Sequence, residues 1–252
     1  MTATVAQIWR HPVKSLQGER LDSAELGARG VPGDRRWGIR EVASGKVLSA
    51  KREGRLLEAR ARLASGMALV RLPDGTELEG TGPATDAALT DWLGSEVALV
   101  EARPDEQPRY EMPVDFEDDG SPLYEFGSSV GTFHDSSPVH LLTTASLQAA
   151  RALHPDGVWD ERRFRPTLLI DVAGDDFVED EWVDREVRAG SARFRVRRPC
   201  GRCVMTTRAQ PGLPRDLDVL RKLSRSHDGS LGVLATVVGE GRVAVGDAVA
   251  VF

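Results

Sequence analysis

Cysteine is scarce in this 252-residue sequence, which contains only Cys200 and Cys203, both in the segment RPCGRC. Two thiols cannot form the disulfide framework of a small secreted protein. No apolar run approaches the ~18 residues of a membrane-spanning helix, and the first residues, MTATVAQIWRHPVKS, lack the apolar stretch of a signal peptide. We therefore expect a cytoplasmic protein with reduced thiols and no membrane span.

Basic residues are outnumbered by acidic ones, and the formal net charge is −6. Because nucleic-acid binding needs a basic surface, we expect no nucleic-acid partner. The arginines are nevertheless concentrated on both sides of an acidic run at 171–186. A salt-bridged surface explains most such charges, and a pocket for an anionic ligand is the alternative. The arginines in question are Arg162, Arg163, Arg165, Arg193, Arg195, Arg197, Arg198 and Arg202.

Short segments of alternating apolar and polar residues between glycine-rich turns predict a mixed, β-rich α+β fold, mostly antiparallel. Residues 168–172 read as a buried strand. In SARFRVRRPC the alternation places Phe194 and Val196 on one side and the arginines on the other. Helical spacing is confined to three segments, at 84–94, from Thr144 or Ser146 onward, and at 214–225.

Composition divides the chain into three parts. Residues 1–103 form a β-rich N-terminal domain, and residues 133–252 form a second domain. The acidic, Pro- and Gly-rich segment 104–132 between them predicts a long loop, which could serve as a lid or as a docking surface for a partner. The first strand, within residues 1–18, could pack with the C-terminal part.

The two cysteines, three residues apart, allow four interpretations: a disulfide, half of a zinc site, a redox dithiol, or one thiolate reserved for a cofactor. No other cysteine and no suitably spaced histidine pair completes a zinc site. The β-branched residues of VMTT, which follow the pair, predict extended chain rather than the helix of a thioredoxin-like dithiol. Nearby arginines favour a thiolate, and a soft thiolate suits a metal held by an anionic cofactor.

Two short segments carry groups that suit an anionic ligand. Lys14 and Ser15 follow Pro12 at a turn, where they can contact a phosphate. Ser136 and Ser137 precede Pro138, and their hydroxyls can contact a ligand. The alternative is that they only stabilise an ordinary turn. The sequence contains no phosphate-binding loop, dinucleotide-binding glycine motif or serine-hydrolase nucleophile elbow.

Eight segments stand in a characteristic order: HPVKS, GDRRW, LSAKREGRL, HDSSPVHLL, RFRPTLLI, FVEDEW, RPCGRCVMTT and GRVAVGDAV. Together they resemble the MOSC family, including the N-terminal β-barrel domain of its longer members. The resemblance implies a MOSC-type β-barrel, a smaller N-terminal β-barrel-like domain and a few helices.

The resemblance also implies a molybdenum cofactor, a pterin dithiolene that holds the metal. Cys203 would be both the metal ligand and the catalytic residue, and Cys200 only its neighbour. Two departures affect the site: Thr167 stands where relatives carry asparagine, and TTRAQPGLP replaces TTVDPDTG after the cysteines. The implied cofactor-binding residues are Lys14, Ser15, Arg35, Ser136, Ser137, Arg165, Thr167, Gly201 and Arg202.

The function implied is an oxidoreductase that reduces N-hydroxylated small molecules, such as hydroxylamines and amidoximes. Electrons would come from a separate ferredoxin- or flavoprotein-type donor, since we expect neither haem nor an iron–sulfur cluster in this chain. His134 and Asp135 are candidate proton donors by position alone. The alternatives are a carrier of molybdenum cofactor or of persulfide sulfur on Cys203, and a barrel that binds neither.

Overall fold

The computed structural model describes residues 3–252, which form seventeen strands and three α-helices. The strands are β1 (Ala3–Arg10), β2 (Glu19–Leu21), β3 (Ser23–Leu26), β4 (Trp37–Glu41), β5 (Arg60–Ala64), β6 (Met67–Arg71), β7 (Glu77–Glu79), β8 (Val97–Glu101), β9 (Arg109–Pro113), β10 (Leu123–Gly127), β11 (Val139–Thr143), β12 (Leu168–Asp171), β13 (Glu186–Ala189), β14 (Ala192–Gly201), β15 (Ser230–Gly239), β16 (Gly241–Ala244) and β17 (Ala248–Val251). The helices are α1 (Pro83–Leu93), α2 (Thr144–Leu153) and α3 (Asp218–Ser226).

Seven strands close into a barrel in the order β12-β11-β15-β14-β13-β17-β1, and the pairing of β1 with β12 completes the ring. Only β11 and β12 pair in parallel within it. The predicted alternation in β14 is confirmed: Phe194 and Val196 are fully buried in the barrel interior, whereas Arg193 and Arg197 are exposed. The predicted β-rich fold class is therefore correct.

Strand β1 comes from the N-terminal end of the chain but belongs to this barrel. Val5 pairs with Ile170 and Ile8 with Leu168. The side chains of Val5 and Ile8 are buried in the barrel core. The chain then leaves the barrel, and isolated bridges connect Val13 to Trp37 and Gln17 to Arg60. The segment that carries Lys14 and Ser15 therefore crosses from the barrel to the N-terminal domain.

The N-terminal domain has its own core, built around the antiparallel pair β4–β8, the meander β5–β6–β7 and helix α1. Leu16, Trp37 and Leu89 are buried there with the inward residues of β5 and β6. Strand β3 lies outside this core and pairs with β16 of the C-terminal half. The chain thus passes between the two halves more than once.

All three predicted helices are present, although α3 begins at Asp218 rather than at 214, and local signals explain the ends of α1 and the start of α2. Pro83 occupies the first turn of α1, and Gly94 ends the helix in the left-handed conformation that glycine adopts without strain. Helix α2 begins at Thr144, because the side chain of Thr143 caps it by accepting a hydrogen bond from Ser146 N. No helix among residues 3–252 is long and apolar enough to cross a membrane.

Two local predictions differ from the structure. The segment 104–132, expected as a loop, contains the antiparallel hairpin β9–β10, because Tyr110 and Phe126 stack and pack into a small apolar cluster. The segment VMTT forms a 3₁₀ turn, Val204–Thr207, rather than extended chain. There the Thr206 and Thr207 hydroxyls donate to carbonyls three residues earlier, which stabilises the turn.

Candidate functional site

A cleft opens where the segment 11–18, the end of β14 and the loop before β11 meet. The structure brings all ten residues singled out in the sequence to its walls, and their roles stay predictions. Thr167 lines the cleft, but its hydroxyl also accepts from His140 N at 3.0 Å. The ten residues are Lys14, Ser15, Arg35, Ser136, Ser137, Arg165, Thr167, Gly201, Arg202 and Cys203.

The two thiols are free and have different surroundings. Cys200 is the last buried side chain of β14, and Arg202 Nη1 contacts its Sγ at 2.8 Å. Cys203 is half-buried beyond the end of the strand and lines the cleft. Its carbonyl accepts from Thr206 N at 3.0 Å and from Thr206 Oγ1 at 2.9 Å. The strand and the 3₁₀ turn therefore fix the backbone on both sides of Cys203.

The walls of the cleft are strongly basic. Seven basic side chains and a single carboxylate, that of Asp135, line it, whereas the whole chain has a net charge of −6. Such a concentration of positive charge in a partly closed cleft favours an anionic ligand. The basic residues are Lys14, Arg35, Lys51, Arg163, Arg165, Arg198 and Arg202.

Three of the cleft residues adopt a strained backbone conformation. Ser15, Arg35 and Arg165 have φ angles of 68°, 47° and 56°, in the left-handed region that residues with a Cβ rarely occupy. Local contacts hold two of them: Ser15 Oγ accepts from Ala50 N at 2.9 Å, and Arg165 Nη1 donates to Leu16 O at 2.6 Å. Strain of this kind concentrates at binding sites, where it aims a side chain.

Two lysines share the cleft's carboxylate. Lys14 Nζ lies 2.8 Å and Lys51 Nζ 3.3 Å from the oxygens of Asp135. Burial lowers the pKa of Lys14 to about 8, although Asp135 opposes the shift. Burial alone would raise the pKa of Asp135, but the two ammonium groups outweigh it and hold that pKa well below its usual range. Asp135 is therefore an anion at neutral pH and has no proton to donate.

The histidines of the cleft are neutral. Burial, reinforced by the charge of Arg35, lowers the pKa of His134 to about 4. Burial and the charge of Arg202 lower the pKa of His140 to about 3. Neither imidazole carries a second proton at neutral pH. This charge state does not support His134 as a proton donor.

The hairpin β9–β10 packs on two lysines of the cleft. Lys14 Nζ lies 4.3 Å from the centre of the Tyr110 ring, and Lys51 Nζ lies 4.3 Å from that of Phe126. At the hairpin tip, Glu117 contacts Arg221 at 2.6 Å, and Asp119 contacts Arg208 at 2.6 Å. The hairpin is therefore anchored to the cleft at its base and to the C-terminal half at its tip.

Arg208 belongs to the segment TTRAQPGLP, which departs from the family pattern. The structure gives this arginine a role: it is buried, and Nη2 donates to Lys51 O at 2.8 Å while Nη1 contacts Asp119. It thus links the backbone at Lys51 to the tip of the hairpin. The departure therefore supplies a side-chain contact to the tip of the hairpin.

The sequence motifs assign no role to Ser49 or Lys51, both of which line the cleft. The signal was available, because the segment LSAK lies among the motifs that carry the family resemblance. The motif does not predict their position in the cleft. That position depends on the 3₁₀ turn at Gly54–Glu58 and on the contact of Lys51 O with Arg208, which is distant in the sequence.

Comparison with known families decides the assignment. The MOSC domain matches residues 129–250, and the MOSC N-terminal beta barrel domain matches residues 2–103. The chain belongs to the MOSC family. This family is associated with binding of the molybdenum cofactor.

Curated relatives of this MOSC protein include mitochondrial amidoxime-reducing component 1 of Homo sapiens, 29% identical over 233 residues, and that of Mus musculus, 27% identical over 235 residues. Each alignment covers 81% of this chain, and the chain spans 66% and 65% of the length of these relatives. Among solved structures, the YUAD protein from Bacillus subtilis is similar in fold. Its TM-score is 0.52 at 12% identity, with 100% of this chain and 96% of that chain covered.

The cleft fits a cofactor of this type in charge and donor chemistry. Ser49 Oγ and Arg202 Nε are buried without a hydrogen-bond partner among residues 3–252, and both belong to residues of the cleft wall. Buried polar atoms in that state call for a ligand or water. The cleft of about 160 Å³ adjoins a cavity of about 640 Å³, and both are lined by Arg35, His134, Ser136 and Ser137.

Proposed function

We propose that this MOSC protein is a molybdenum-cofactor-dependent reductase of N-hydroxylated compounds that works in the cytoplasm. For a hydroxylamine the balanced reaction is R–NH–OH + 2 e⁻ + 2 H⁺ → R–NH₂ + H₂O, and an amidoxime gives an amidine in the same way. The electrons come from a separate ferredoxin- or flavoprotein-type donor. The names of the curated relatives support this substrate class.

The observation that carries the proposal is one half-buried thiol, Cys203, on the wall of a cleft with seven basic side chains. A thiolate is a soft ligand that suits molybdenum, and the basic groups suit an anionic pterin with a phosphate. When bound, the cofactor would supply the two-electron chemistry. Lys14, Arg35 and Arg165 would bind and orient its charged groups.

Proton supply is assigned from the charge states in the cleft. Asp135 is an anion and His134 is neutral, as their lowered pKa values imply. Burial alone would lower the pKa of Lys51, but Asp135 and Cys203 outweigh it and raise that pKa above its usual value. Lys51 therefore stays protonated and would hold a proton in the same cleft as Cys203.

Anaerobic reduction of a hydroxylamine and of an aromatic amidoxime, with reduced viologen as the electron source, tests the proposal. Protein from a host that makes the cofactor should release amine and amidine, and Cys203→Ala should abolish the reaction. Cys200→Ser is the matched control, because Cys200 lies beside Cys203 but its thiol is in contact with the guanidinium of Arg202. Full activity in Cys203→Ala would contradict the proposal.

The accessibility of Cys203 also supports a second function, carriage of the molybdenum cofactor or of sulfur as a persulfide. A carrier needs a reachable thiol and an anion site but no electron donor. Mass spectrometry after incubation with a cysteine desulfurase and cysteine distinguishes the two functions. A carrier would gain one sulfur atom on Cys203 and pass it to an acceptor, and it would show no viologen-dependent turnover.

A further inference from the structure

The outer face of the barrel carries a concentration of arginines beside the cleft. Strands β13 and β14 contain five arginines and one acidic residue, Glu186. Their neighbours in the barrel, β15 and β17, contain no charged residue. This wall is therefore strongly basic in a chain whose net charge is −6. We call it the arginine face, and its members are Arg188, Arg193, Arg195, Arg197 and Arg198.

Strand geometry explains why these side chains face solvent. Because Phe194 and Val196 fill the barrel core, the residues between them point outward. The pairing of β14 with β15 shifts register between Val196 and Arg198. This irregularity leaves two consecutive arginines, Arg197 and Arg198, both exposed on the same wall.

Few carboxylates neutralise this face. Glu186 lies 3.3 Å from Arg193 and 3.8 Å from Arg195 and is shared between them. Arg197 and Arg198 have no carboxylate within 4.0 Å among the residues that the structure describes. Their charge is therefore available to a partner.

The arginine face reaches the rim of the candidate site. Arg198 lines the cleft together with Cys203, and the other arginines follow along the same two strands. Two acidic residues of the hairpin tip are paired with arginines of the C-terminal half, Glu117 with Arg221 and Asp119 with Arg208. The unneutralised positive charge at the rim of the cleft is therefore that of the barrel wall.

We propose that the arginine face docks a small acidic electron-carrier protein, which delivers electrons to the group held at Cys203. This inference rests on the proposed function and names the docking side and the charge of the donor. A positive wall beside the cleft would steer a negative carrier toward it and orient its bound redox group. The negative charge of the remaining surface disfavours nucleic acid as the occupant.

Binding of oxidised flavodoxin, an acidic carrier, to the immobilised protein tests the proposal by surface plasmon resonance. The double variant Arg195→Glu/Arg197→Glu should weaken binding by about tenfold or more at low ionic strength, and salt should weaken the wild-type complex. The neutral variant Arg195→Gln/Arg197→Gln should give a smaller loss. Thermal melting checks that both variants are folded.

A matched control exists in the N-terminal domain. Arg60 and Arg71 are exposed cross-strand neighbours in β5 and β6, so Arg60→Glu/Arg71→Glu makes the same change in net charge away from the barrel wall. This variant should bind flavodoxin within about twofold of wild type. Viologen-driven reduction should be unchanged in both charge-reversal variants.

Three results would overturn the docking proposal: wild-type protein that does not bind flavodoxin at low ionic strength, equal weakening by both charge reversals, or an oligonucleotide that binds the arginine face more tightly than flavodoxin does. These outcomes are separate from failure of the proposed function. That function is judged by viologen-driven turnover, whereas docking is measured as binding and needs no turnover.

Discussion

Three residues of the cleft, Ser15, Arg35 and Arg165, hold a left-handed backbone conformation that glycine would adopt without strain. A residue with a Cβ loses roughly 1–2 kcal/mol there. Arg165 is also fully buried, and burial, with the charge of Arg35, lowers its pKa to about 9. The left-handed backbone and the burial of Arg165 both cost stability, and together they place its guanidinium in the cleft. Strain of this kind is expected where it serves ligand binding.

Arg165→Gly and Arg165→Ala separate these two contributions. Both changes remove the guanidinium, so both should reduce the molybdenum bound per chain severalfold. Glycine also removes the backbone strain, so Arg165→Gly should be more stable than Arg165→Ala by about 1 kcal/mol in urea unfolding. Equal stability of the two variants would show that φ of 56° is not strained in this setting.

Buried histidines predict a loss of stability in mild acid. The pKa values of His11, His134 and His140 are lowered by burial, the last two to about 4 and about 3. Their stabilising contribution is complete above pH 6.5, the model-peptide value. It falls as pH drops toward the folded-state pKa values, because the unfolded chain binds protons that the folded protein does not.

Urea unfolding between about pH 7 and pH 5 measures this effect. The free energy of unfolding should fall with a slope of up to ~1.4 kcal/mol per pH unit for each histidine. His134→Gln should reduce the slope by about a third, since one of the three titrating groups is gone. A free energy that does not change over this range would contradict the assignment of neutral, buried imidazoles.

The hairpin β9–β10 packs against the cleft without lining it. Its base stacks on Lys14 and Lys51, and its tip forms ion pairs with Arg208 and Arg221. Exposed ion pairs contribute up to about 1 kcal/mol each. We therefore expect the tip to be the part of the hairpin that opens most easily.

Glu117→Gln/Asp119→Asn should loosen the tip without unfolding the protein. Amide hydrogen exchange within 109–127 should become severalfold faster, whereas the melting temperature should change little. Asp118→Asn is the control, because Asp118 only accepts from Gly120 N within the same turn. Unchanged exchange in the double variant would show that the ion pairs do not hold the hairpin.

The sequence predicts elements well where periodicity and caps agree, as in α1, which has Pro83 at its start and Gly94 at its end. It fails for β9 and β10, because the aromatic packing of Tyr110 and Phe126 overrides a composition typical of loops. In the site, the motifs indicate Lys14 and Cys203. The ion pair between Lys51 and Asp135 is not indicated, because it depends on a fold that brings distant segments together.

For the whole molecule, closure of the barrel by β1 makes the two halves depend on each other. Without β1, strands β12 and β17 would become open edges with unpaired backbone groups. The segment after β1 also carries Lys14 and Ser15 into the cleft. The N-terminal residues therefore complete both the core and the candidate site of the C-terminal half.

A fragment of residues 129–252 should consequently aggregate or remain poorly folded when it is made alone. A peptide of residues 3–26, which contains β1 to β3, should restore its near-UV circular dichroism when added. The same peptide with Ile8→Lys should not, because Ile8 is fully buried in the barrel core. A fragment that folds and melts cooperatively without the peptide would contradict this dependence.

The molybdenum content of the purified protein decides whether Cys203 is the ligand of a cofactor. Inductively coupled plasma mass spectrometry on protein from a molybdenum-fed, cofactor-competent host should find about one molybdenum per chain in the wild type and in Cys200→Ser. Cys203→Ala should retain less than about a tenth of that amount. Wild-type protein without molybdenum, or equal metal content in the wild type and Cys203→Ala, would contradict the assignment of Cys203.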